Sequence, residues 1–267
     1  MRTAALIAAL AVVVPTTHAL ERARYLMGTV CEVAVTGEQA TPAEAQIEAA
    51  FAEAKRVEQM LSTWIADSEL SRVNRGAATP GEELRGLLEL TAEWTKKTNG
   101  TFDPRYARKG HDPGAWGKGY ALDRMLALTA GDAVIDFGGQ LIVRGAHEVA
   151  IADPEDRGKP VFALTIENAS LSTSSGSEKP GHIVDPRTGQ SLPARGSASA
   201  IADDAMTADI LSTALYVMGA DEGLRWADDH GIAAIFITPE HDIRLSAKAR
   251  ERTRGLSLLD HNFSLKD

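Results

Sequence analysis

The spacing of apolar residues predicts two amphipathic helices in the first hundred residues of the chain. The first follows a Thr-Pro-Ala-Glu capping box at 41–44 and keeps a helical period of apolar side chains as far as Trp64. The second is predicted to be capped by Thr79 and carries a stripe of Leu residues before the stop signal Asn99-Gly100. Each helix therefore offers one apolar face to a core.

Two more helices are predicted in the rest of the chain. One follows the segment KGYALDR, residues 118–124, and ends at Gly131. The other is TADILSTALYVMG, residues 207–219, which is apolar around most of its surface and has Thr207 as its predicted cap.

Short runs rich in apolar and β-branched residues, bounded by Gly, Pro, Asp and Ser, predict strands. They are VCEVAV at 30–35, DAVIDF at 132–137, LIVRG at 141–145, HEVAIA at 147–152, VFALTI at 161–166, ASAIA at 198–202 and AAIFIT at 233–238. Helices and strands are mixed without strict alternation, which favours an α+β fold with mixed or antiparallel sheets and packed helices. We expect one domain, from residue 20 to residue 267.

Composition narrows the functional classes only a little. The chain has 267 residues, 44% of them hydrophobic and 24% charged, which is ordinary for a folded soluble domain. Its formal net charge is −9, and no basic cluster stands out. An acidic balance argues against nucleic acid as a partner, because the phosphate backbone attracts basic surfaces.

The N-terminus has the features of a signal peptide, predicted at residues 1–19. Arg2 precedes an apolar run at 4–15, and Thr-His-Ala at 17–19 fits a small-x-small cleavage site. We expect export to the periplasm, or association with the membrane if the segment is not cleaved. Cys31 is the single cysteine, so no intrachain disulfide can form.

The late helix carries the first candidate chemistry. Asp209 and Thr213 are four residues apart and therefore share one face of a helix that is otherwise apolar. An acidic residue near a helix start suits the helix dipole, and a Thr can bond back to its own backbone. The same two oxygens could instead hold a hard cation such as Mg²⁺. The spacing alone leaves both interpretations open.

A second cluster lies at 171–190, LSTSSGSEKPGHIVDPRTGQ. Its Ser/Thr/Gly-rich part predicts a turn with hydroxyl and N–H groups of the kind that bind phosphate. The segment DPRTG, which contains Asp185 and Arg187, is adequately explained as a tight turn. His182 is explained less well by a turn and is a candidate acid, base or phosphate contact.

A third cluster, at 100–124, contains three glycines around Lys118 at positions 114, 117 and 119. Such glycines indicate a sharp turn or a close approach of the backbone. The segment lacks the Ser or Thr after Lys and the spaced Gly of a Walker sequence, and it is not a dinucleotide fingerprint. DFGG at 136–139 also suits either a tight site or a simple turn, and no other kinase signature accompanies it.

Taken in order, these segments resemble the ApbE family of FAD:protein FMN transferases. The resemblance rests on MGT at 27–29, LSTWIADSELSRVN at 61–74, GTFDP at 100–104, GKGYALD at 117–123, DFGGQ at 136–140, STSSG at 172–176, HIVDPRTGQ at 182–190 and ADILSTALYVMG at 208–219. Each motif is modest alone, but their collinear order is specific.

The resemblance implies an exported enzyme with an ApbE-like fold. It would cleave FAD and join the FMN half to a Thr or Ser hydroxyl of a redox subunit, releasing AMP. It implies Mg²⁺ bound by Asp209, Thr213 and a carbonyl at Gly117, with His182 activating the acceptor or steadying phosphate. The implied FAD contacts are Met27, Trp64, Thr101, Phe102, Asp103, Asp112 and Lys118.

The chain departs from the family pattern before Lys118. The segment between FDPRYA and DPGAWGKG is short, and Pro113, Ala115 and Trp116 are unusual there. Two alternatives therefore stay open beside the transferase. One is an FAD pyrophosphatase that gives FMN and AMP with water as acceptor, and the other is a non-catalytic exported protein that binds FAD or assists assembly.

Overall fold

The computed structural model describes residues 19–36, 40–106, 110–176 and 181–266. Residues 1–18, which make up almost all of the predicted signal peptide, lie outside the described residues. Within the described ranges, no helix combines the length and the apolar character that crossing a membrane requires.

The described chain forms seven helices and fourteen strands. The helices are α1 Ala40–Leu61, α2 Glu69–Asn74, α3 Glu82–Lys97, α4 Gly117–Leu126, α5 Ala205–Met218, α6 Ala220–His230 and α7 Ala247–Arg252. The strands are β1 Ala19–Leu26, β2 Thr29–Thr36, β3 Asp132–Asp136, β4 Gln140–Arg144, β5 Ala146–Ala152, β6 Pro160–Glu167, β7 Ser170–Ser175, β8 Val184–Asp185, β9 Gln190–Ser191, β10 Ser197–Ala202, β11 Ala233–Ile237, β12 Asp242–Leu245, β13 Arg254–Leu258 and β14 Ser264–Lys266.

Nine strands form the central sheet, in the order β1-β2-β3-β4-β7-β10-β11-β12-β14. Its neighbours are antiparallel except for the parallel pair β12 and β14. A second sheet has the order β13-β6-β5, and β8 and β9 form a small hairpin. The predicted α+β fold with mixed or antiparallel sheets is confirmed.

The middle strands of the central sheet are buried on both faces, so the molecule has two apolar cores. Alternate residues of a strand point to opposite faces, and in β3 Ile135 belongs to one core and Val134 to the other. Helices α1, α3, α4, α5 and α6 contribute to the first core. Strands β5 and β6 close the second core over the other face.

The start of α5 corrects the prediction for the late helix. The helix begins at Ala205, and its cap is Asp204, whose side chain accepts a hydrogen bond from the Thr207 N–H at 2.7 Å. Thr207 is therefore the donor to the cap and not the cap itself. Asp209 lies beyond the first turn, so the helix-dipole interpretation of this residue is wrong.

Three other helix ends differ from prediction. Helix α1 begins at Ala40, ahead of the predicted box, and ends at Leu61, which leaves Trp64 in the following loop. Helix α3 is capped by Gly81 instead of Thr79, and it begins with Glu82 and Glu83, which suit the positive end of the helix dipole. Helix α4 contains KGYALDR and ends at Leu126, well before Gly131.

Several elements of the structure were not predicted from the sequence. The hydroxyl-rich stretch predicted as a turn is strand β7, which lies between β4 and β10 in the sheet. Helix α6 was not predicted, although its sequence has a clear signature in Asp221 and Glu222 in the first turn and Gly231 after the end. The short elements α2, α7 and β12 to β14 were missed as well.

Candidate active site

A cleft of about 480 Å³ lies where α5 and β7 meet the segment from Thr101 to Lys118. Most of the residues predicted from the sequence line it: Trp64, Thr101, Phe102, Asp103, Asp112, Lys118, His182, Asp209 and Thr213. Met27 and Gly117 are the two predicted residues that do not. Residues that are far apart in sequence are thus brought to one cavity.

Asp209 is the most unusual group in the cleft. It is only 6% exposed, and burial raises the pKa of its carboxyl to about 6, although the nearby positive charge of Lys118 opposes that rise. Within the described part of the chain its carboxylate accepts one hydrogen bond, from the Gly119 N–H at 3.2 Å. A carboxylate can accept about four, so most of its acceptor capacity remains.

Close contact between α4 and α5 holds Asp209 in this position. A Cβ atom on Gly119 would lie 2.3 Å from the Ala205 carbonyl oxygen, so only glycine lets the two helices approach this closely. Asp123 of α4 accepts hydrogen bonds from the N–H groups of Ala205 and Met206 at 2.7 and 3.0 Å. The Asp123 carboxylate therefore supplies a second cap at the start of α5, beside Asp204, and burial raises the pKa of Asp123 to about 6.

Thr213 lies beside a chain of serine hydroxyls. Its Oγ1 is 3.4 Å from the Ser174 Oγ, which is 3.0 Å from the Ser212 Oγ. The Ser172 Oγ is also 3.1 Å from the Ser212 Oγ, and the Ser212 hydroxyl donates to the Asp209 backbone carbonyl. Strand β7 therefore supplies the hydroxyls that were predicted for a turn, and it faces them toward α5.

Lys118 brings a positive charge to two buried carboxyls. Burial raises the pKa of both Asp209 and Asp136 to about 6, and the charge of Lys118 opposes that rise in each. Asp136 accepts hydrogen bonds from the N–H groups of Gly138 and Gly139 at 2.7 and 3.3 Å. It thereby holds the turn of DFGG, whose two glycines line the cleft.

Three aromatic residues also line the cleft. Trp64 is 96% exposed and lies in the loop after α1, whereas Phe102 is buried. Tyr106 also lines the cleft. The Thr101 hydroxyl is buried and donates to the Thr98 carbonyl at 2.8 Å, so it serves the local turn. Trp64 and Tyr106 offer flat apolar surface to a ligand, whereas Phe102 packs in the helical core behind them.

Asp112 and Trp116 show how the shortened segment is accommodated. The Asp112 carboxylate accepts from the Gly114 N–H at 2.8 Å, and its backbone carbonyl accepts from the Trp116 indole N–H at 2.8 Å. The Trp116 side chain is completely buried in the helical core. The unusual tryptophan therefore anchors the loop that leads into α4.

His182 is exposed and lines the cleft just before the β8–β9 hairpin. Asp185 and Arg187 do not line it. They form an ion pair at 2.8 Å, and the Asp185 carbonyl accepts from the N–H groups of Thr188 and Gly189. The structural interpretation of DPRTG as a tight turn is therefore sufficient for these two residues.

Met27 and Gly117 do not line the cleft and lie close to each other. The methyl group of Met27 is 3.9 Å from the position that a Cβ on Gly117 would take. Gly117 is buried, is the first residue of α4 and donates its N–H to the Pro113 carbonyl at 2.7 Å. A carbonyl in a first helical turn keeps a second lone pair beside its helical bond, and that lone pair can bind a cation.

The donor set around Asp209 suits a hard cation. The described residues include no group of three or more His, Cys, Asp or Glu side chains that could bind a metal, so a cation here would have at most two such ligands, Asp209 among them. Mg²⁺ is often held in this way, with one or two carboxylates and with phosphate and water completing its octahedron. The spare acceptor capacity of Asp209 and the neighbouring Thr213 hydroxyl fit that requirement.

Three cleft or near-cleft residues were missed by the sequence analysis. They are Asp123, which caps α5, Gln140, which follows DFGG, and Arg157, whose guanidinium donates to the Gly138 carbonyl at 3.3 Å. Asp123 and Gln140 fall inside motifs that were noted, so the motifs could have pointed to them. Arg157 lies in the loop between β5 and β6 and had no sequence signal.

The sequence matches the family model described as the ApbE family over residues 27–111 and 106–236. A curated relative from Treponema pallidum, named FAD:protein FMN transferase, is 25% identical, and the alignment covers 92% of this chain and 91% of that protein. A relative of the same name from Rhodobacter capsulatus is 34% identical over 64% of this chain and 39% of its own length.

Solved structures confirm the fold. The ApbE protein of Thermotoga maritima superimposes with a TM-score of 0.79 at 22% identity, covering 89% of this chain and 100% of that one. The apo form of the flavinyl transferase ApbE of Pseudomonas stutzeri gives a TM-score of 0.75 at 21% identity, covering 88% and 96%.

Proposed function

The chain belongs to the ApbE family, and from that premise we propose that it transfers the FMN half of FAD to a Thr or Ser hydroxyl of another protein and releases AMP. The name shared by its curated relatives, FAD:protein FMN transferase, confirms the prediction that the chain is an enzyme of this class. The Thr or Ser acceptor, the Mg²⁺ ion and the release of AMP are proposed in addition to this class.

The observation that carries the proposal is the state of Asp209. A carboxylate that is 6% exposed and accepts one hydrogen bond is costly for the fold unless a ligand compensates it. Perturbed carboxyls in clefts are typical of functional sites. A divalent cation beside Asp209 and Thr213 would supply the missing charge.

Asp209, Thr213 and the Gly117 carbonyl are the groups that would hold Mg²⁺. When bound, the ion neutralises negative charge on the diphosphate of FAD. Lys118 adds a positive charge to the same cleft, where it opposes the rise that burial causes in the pKa of Asp209. The protein thus offers phosphate a positive and partly buried environment.

His182 is the group proposed to activate the acceptor. The reaction forms a bond between the acceptor oxygen and the phosphorus of FMN, breaks the bridging P–O bond of FAD, and moves the hydroxyl proton to a base. A Thr or Ser hydroxyl is a weak nucleophile until its proton is removed. His182 is exposed at the cleft, where an incoming side chain can reach it.

The aromatic residues of the cleft are proposed to bind the rings of FAD. Trp64, Phe102 and Tyr106 line it, and Trp64 has a free face because it is 96% exposed. Asp103 and Asp112 supply acceptors for polar edges of the rings, although each already accepts a local hydrogen bond from its own loop.

Export to the periplasm is part of the proposal, on the support of the N-terminal sequence. Arg2, the apolar run and the small residues at 17–19 have the order of a signal peptide. A natural acceptor would then be a redox subunit that exposes a Thr or Ser on the same side of the membrane. Mass spectrometry of the N-terminus of the secreted protein would test cleavage after Ala19.

The function is tested by incubating the protein with FAD, Mg²⁺ and candidate acceptor subunits. We expect one acceptor to gain the mass of FMN on a Thr or Ser, AMP to appear in equal amount, and both products to be lost with EDTA. His182→Asn is expected to slow transfer while FAD still binds. The matched control is His261→Asn, since His261 is exposed in the C-terminal turn.

Other outcomes would favour the alternatives. AMP released at the same rate without any acceptor would indicate an FAD pyrophosphatase. FAD binding that is unaffected by EDTA and by Asp209→Asn, with neither AMP nor labelled acceptor, would indicate a non-catalytic binding protein. Either result would contradict the transferase.

A further inference from the structure

Gln140 is a buried polar side chain, and in the described part of the chain only the nitrogen of its amide forms a hydrogen bond. It is 2% exposed, lines the cleft and is the first residue of β4. Its Nε2 donates to the Ala205 carbonyl at 2.7 Å, whereas its Oε1 is buried and has no hydrogen-bond partner among the residues that the structure describes. Native proteins leave few buried acceptors unpaired, so each one calls for an explanation.

The orientation of the amide is fixed by its surroundings. The Ala205 carbonyl is an acceptor, so the group facing it must be the amide nitrogen, and turning the amide over would bring two oxygens together. The free atom is therefore the oxygen. An oxygen acceptor of this kind is suited to a donor such as a water molecule.

Gln140 also lies next to the proposed cation ligands. It is directly opposite Ser172 in the β4–β7 pair, and opposite residues share one face of a sheet. The Ser172 hydroxyl reaches Ser212 on α5, the residue before Thr213. The same Ala205 carbonyl that accepts from Gln140 begins the helical turn that leads to Asp209.

We infer that the Gln140 amide oxygen belongs to the cation site, where it accepts a hydrogen bond from a water molecule bound to the ion that Asp209 and Thr213 hold. This inference rests on the proposed function. Mg²⁺ keeps several of its waters in protein sites, and those waters need acceptors in fixed positions. Residues that act through such contacts typically change metal affinity about 10- to 100-fold when they are replaced.

The test is a titration with Mn²⁺ followed by electron paramagnetic resonance, on the full protein, with and without FAD. Gln140→Leu removes both the amide nitrogen and the oxygen, and we expect it to weaken Mn²⁺ binding about 10- to 100-fold. Gln140→Glu also removes the N–H donor but keeps an oxygen, so we expect its affinity to equal or exceed that of the wild type. Gln190→Leu, at an exposed position of β9, is the matched control.

Comparing Gln140→Leu with Gln140→Glu distinguishes the role of the amide oxygen from the role of the hydrogen bond that Gln140 donates to α5. Equal weakening in Gln140→Leu and Gln140→Glu would mean that only the bond to Ala205 matters, and it would overturn the inference. Unchanged Mn²⁺ affinity in Gln140→Leu would overturn it as well, while binding lost in Asp209→Asn would leave the proposed function standing. A wild-type protein that binds no Mn²⁺, with or without FAD, would overturn both.

Discussion

The buried carboxyls near the cleft differ from the carboxylates on the outer helices in how their charge is compensated. Asp123, Asp136 and Asp209 are held mainly by backbone N–H groups, and burial raises the pKa of each to about 6. Each therefore costs folding free energy when it is ionised at neutral pH.

The outer cluster joins α1, α3 and α4 by ion pairs. Glu53 contacts Arg56 at 2.8 Å and Arg124 at 3.0 Å, and hydrogen bonds from Arg56 are the main cause that lowers the pKa of Glu53 to about 2. Glu83 contacts Arg56 at 2.6 Å and accepts a hydrogen bond from the Tyr120 hydroxyl at 2.5 Å. Every charge in this cluster has a partner of opposite sign or a donor.

The difference shows which charges serve the fold and which serve a ligand. Paired surface charges stabilise the fold slightly and need nothing else. Buried carboxyls without a cation destabilise the fold, and such groups are retained at sites where a ligand uses them. The two regions should therefore respond in opposite ways to mutation and to pH.

The largest expected contrast is in catalysis. Asp209→Asn keeps the size of the side chain and removes its charge, so we expect FMN transfer to fall about 1000-fold or more, because several kcal/mol of metal-dependent stabilisation are lost. Glu53→Gln should leave the rate within about twofold, since the side chain is remote from the cleft. The rate of acceptor labelling measures the activity of both variants. Equal losses of activity in the two would contradict the distinction between carboxyls that serve a ligand and charges that serve the fold.

The second contrast concerns glycine in the two regions. Gly119→Ala would place a methyl group 2.3 Å from the Ala205 carbonyl, so we expect a loss of about 2–3 kcal/mol in the free energy of unfolding as α4 and α5 separate. Gly86→Ala in α3 meets no atom within 4 Å and should add about 0.5–1 kcal/mol. Urea unfolding measures both. A stabilised Gly119→Ala protein would contradict the close packing.

Local sequence signals predicted the elements better than the contacts between them. The strands β3, β10 and β11 follow from their apolar runs, and the polar pair Asp209 and Thr213 could be noticed because it interrupts an apolar helix. Only the family resemblance connected that pair with Lys118 and Trp64. Periodicity describes a single element and says nothing about which elements meet.

The remaining site features depend on tertiary packing, so a single sequence could not supply them. Asp123 caps a helix that begins 82 residues later, and Gln140 donates to a carbonyl 65 residues away. The cap of α5 was misplaced because both Asp204 and Thr207 are good capping residues, and packing against α4 decides between them. Strand β7 was not predicted because its serine-rich sequence is more typical of a loop than of a strand.

A third contrast lies in the pH dependence of stability at the buried carboxyl Asp136. Its pKa is raised from 3.8 to about 6, so the folded state loses stability as pH rises from 3.8 through 6. Asp136→Asn keeps the acceptor for Gly138 and Gly139, and we expect it to raise the free energy of unfolding by up to about 3 kcal/mol above pH 7. The gain should vanish near pH 4. Urea unfolding across this range, without divalent ions, measures it, and a gain independent of pH would contradict the assignment.

The smallest expected effect has the opposite sign and belongs to Glu53. Its pKa is lowered from 4.5 to about 2, so its contribution is fully present above pH 4.5 and is lost as pH falls toward 2. The Glu53 side chain is 12% exposed, but its partners Arg56 and Arg124 are 43% and 50% exposed, so solvent screens the pairs.

We expect Glu53→Gln to lower the free energy of unfolding by about 0.5–1 kcal/mol at pH 7. The difference from wild type should shrink between pH 4.5 and 2 and should also shrink in high salt. A destabilisation that persists at pH 2 would mean that Glu53 acts through packing and not through charge.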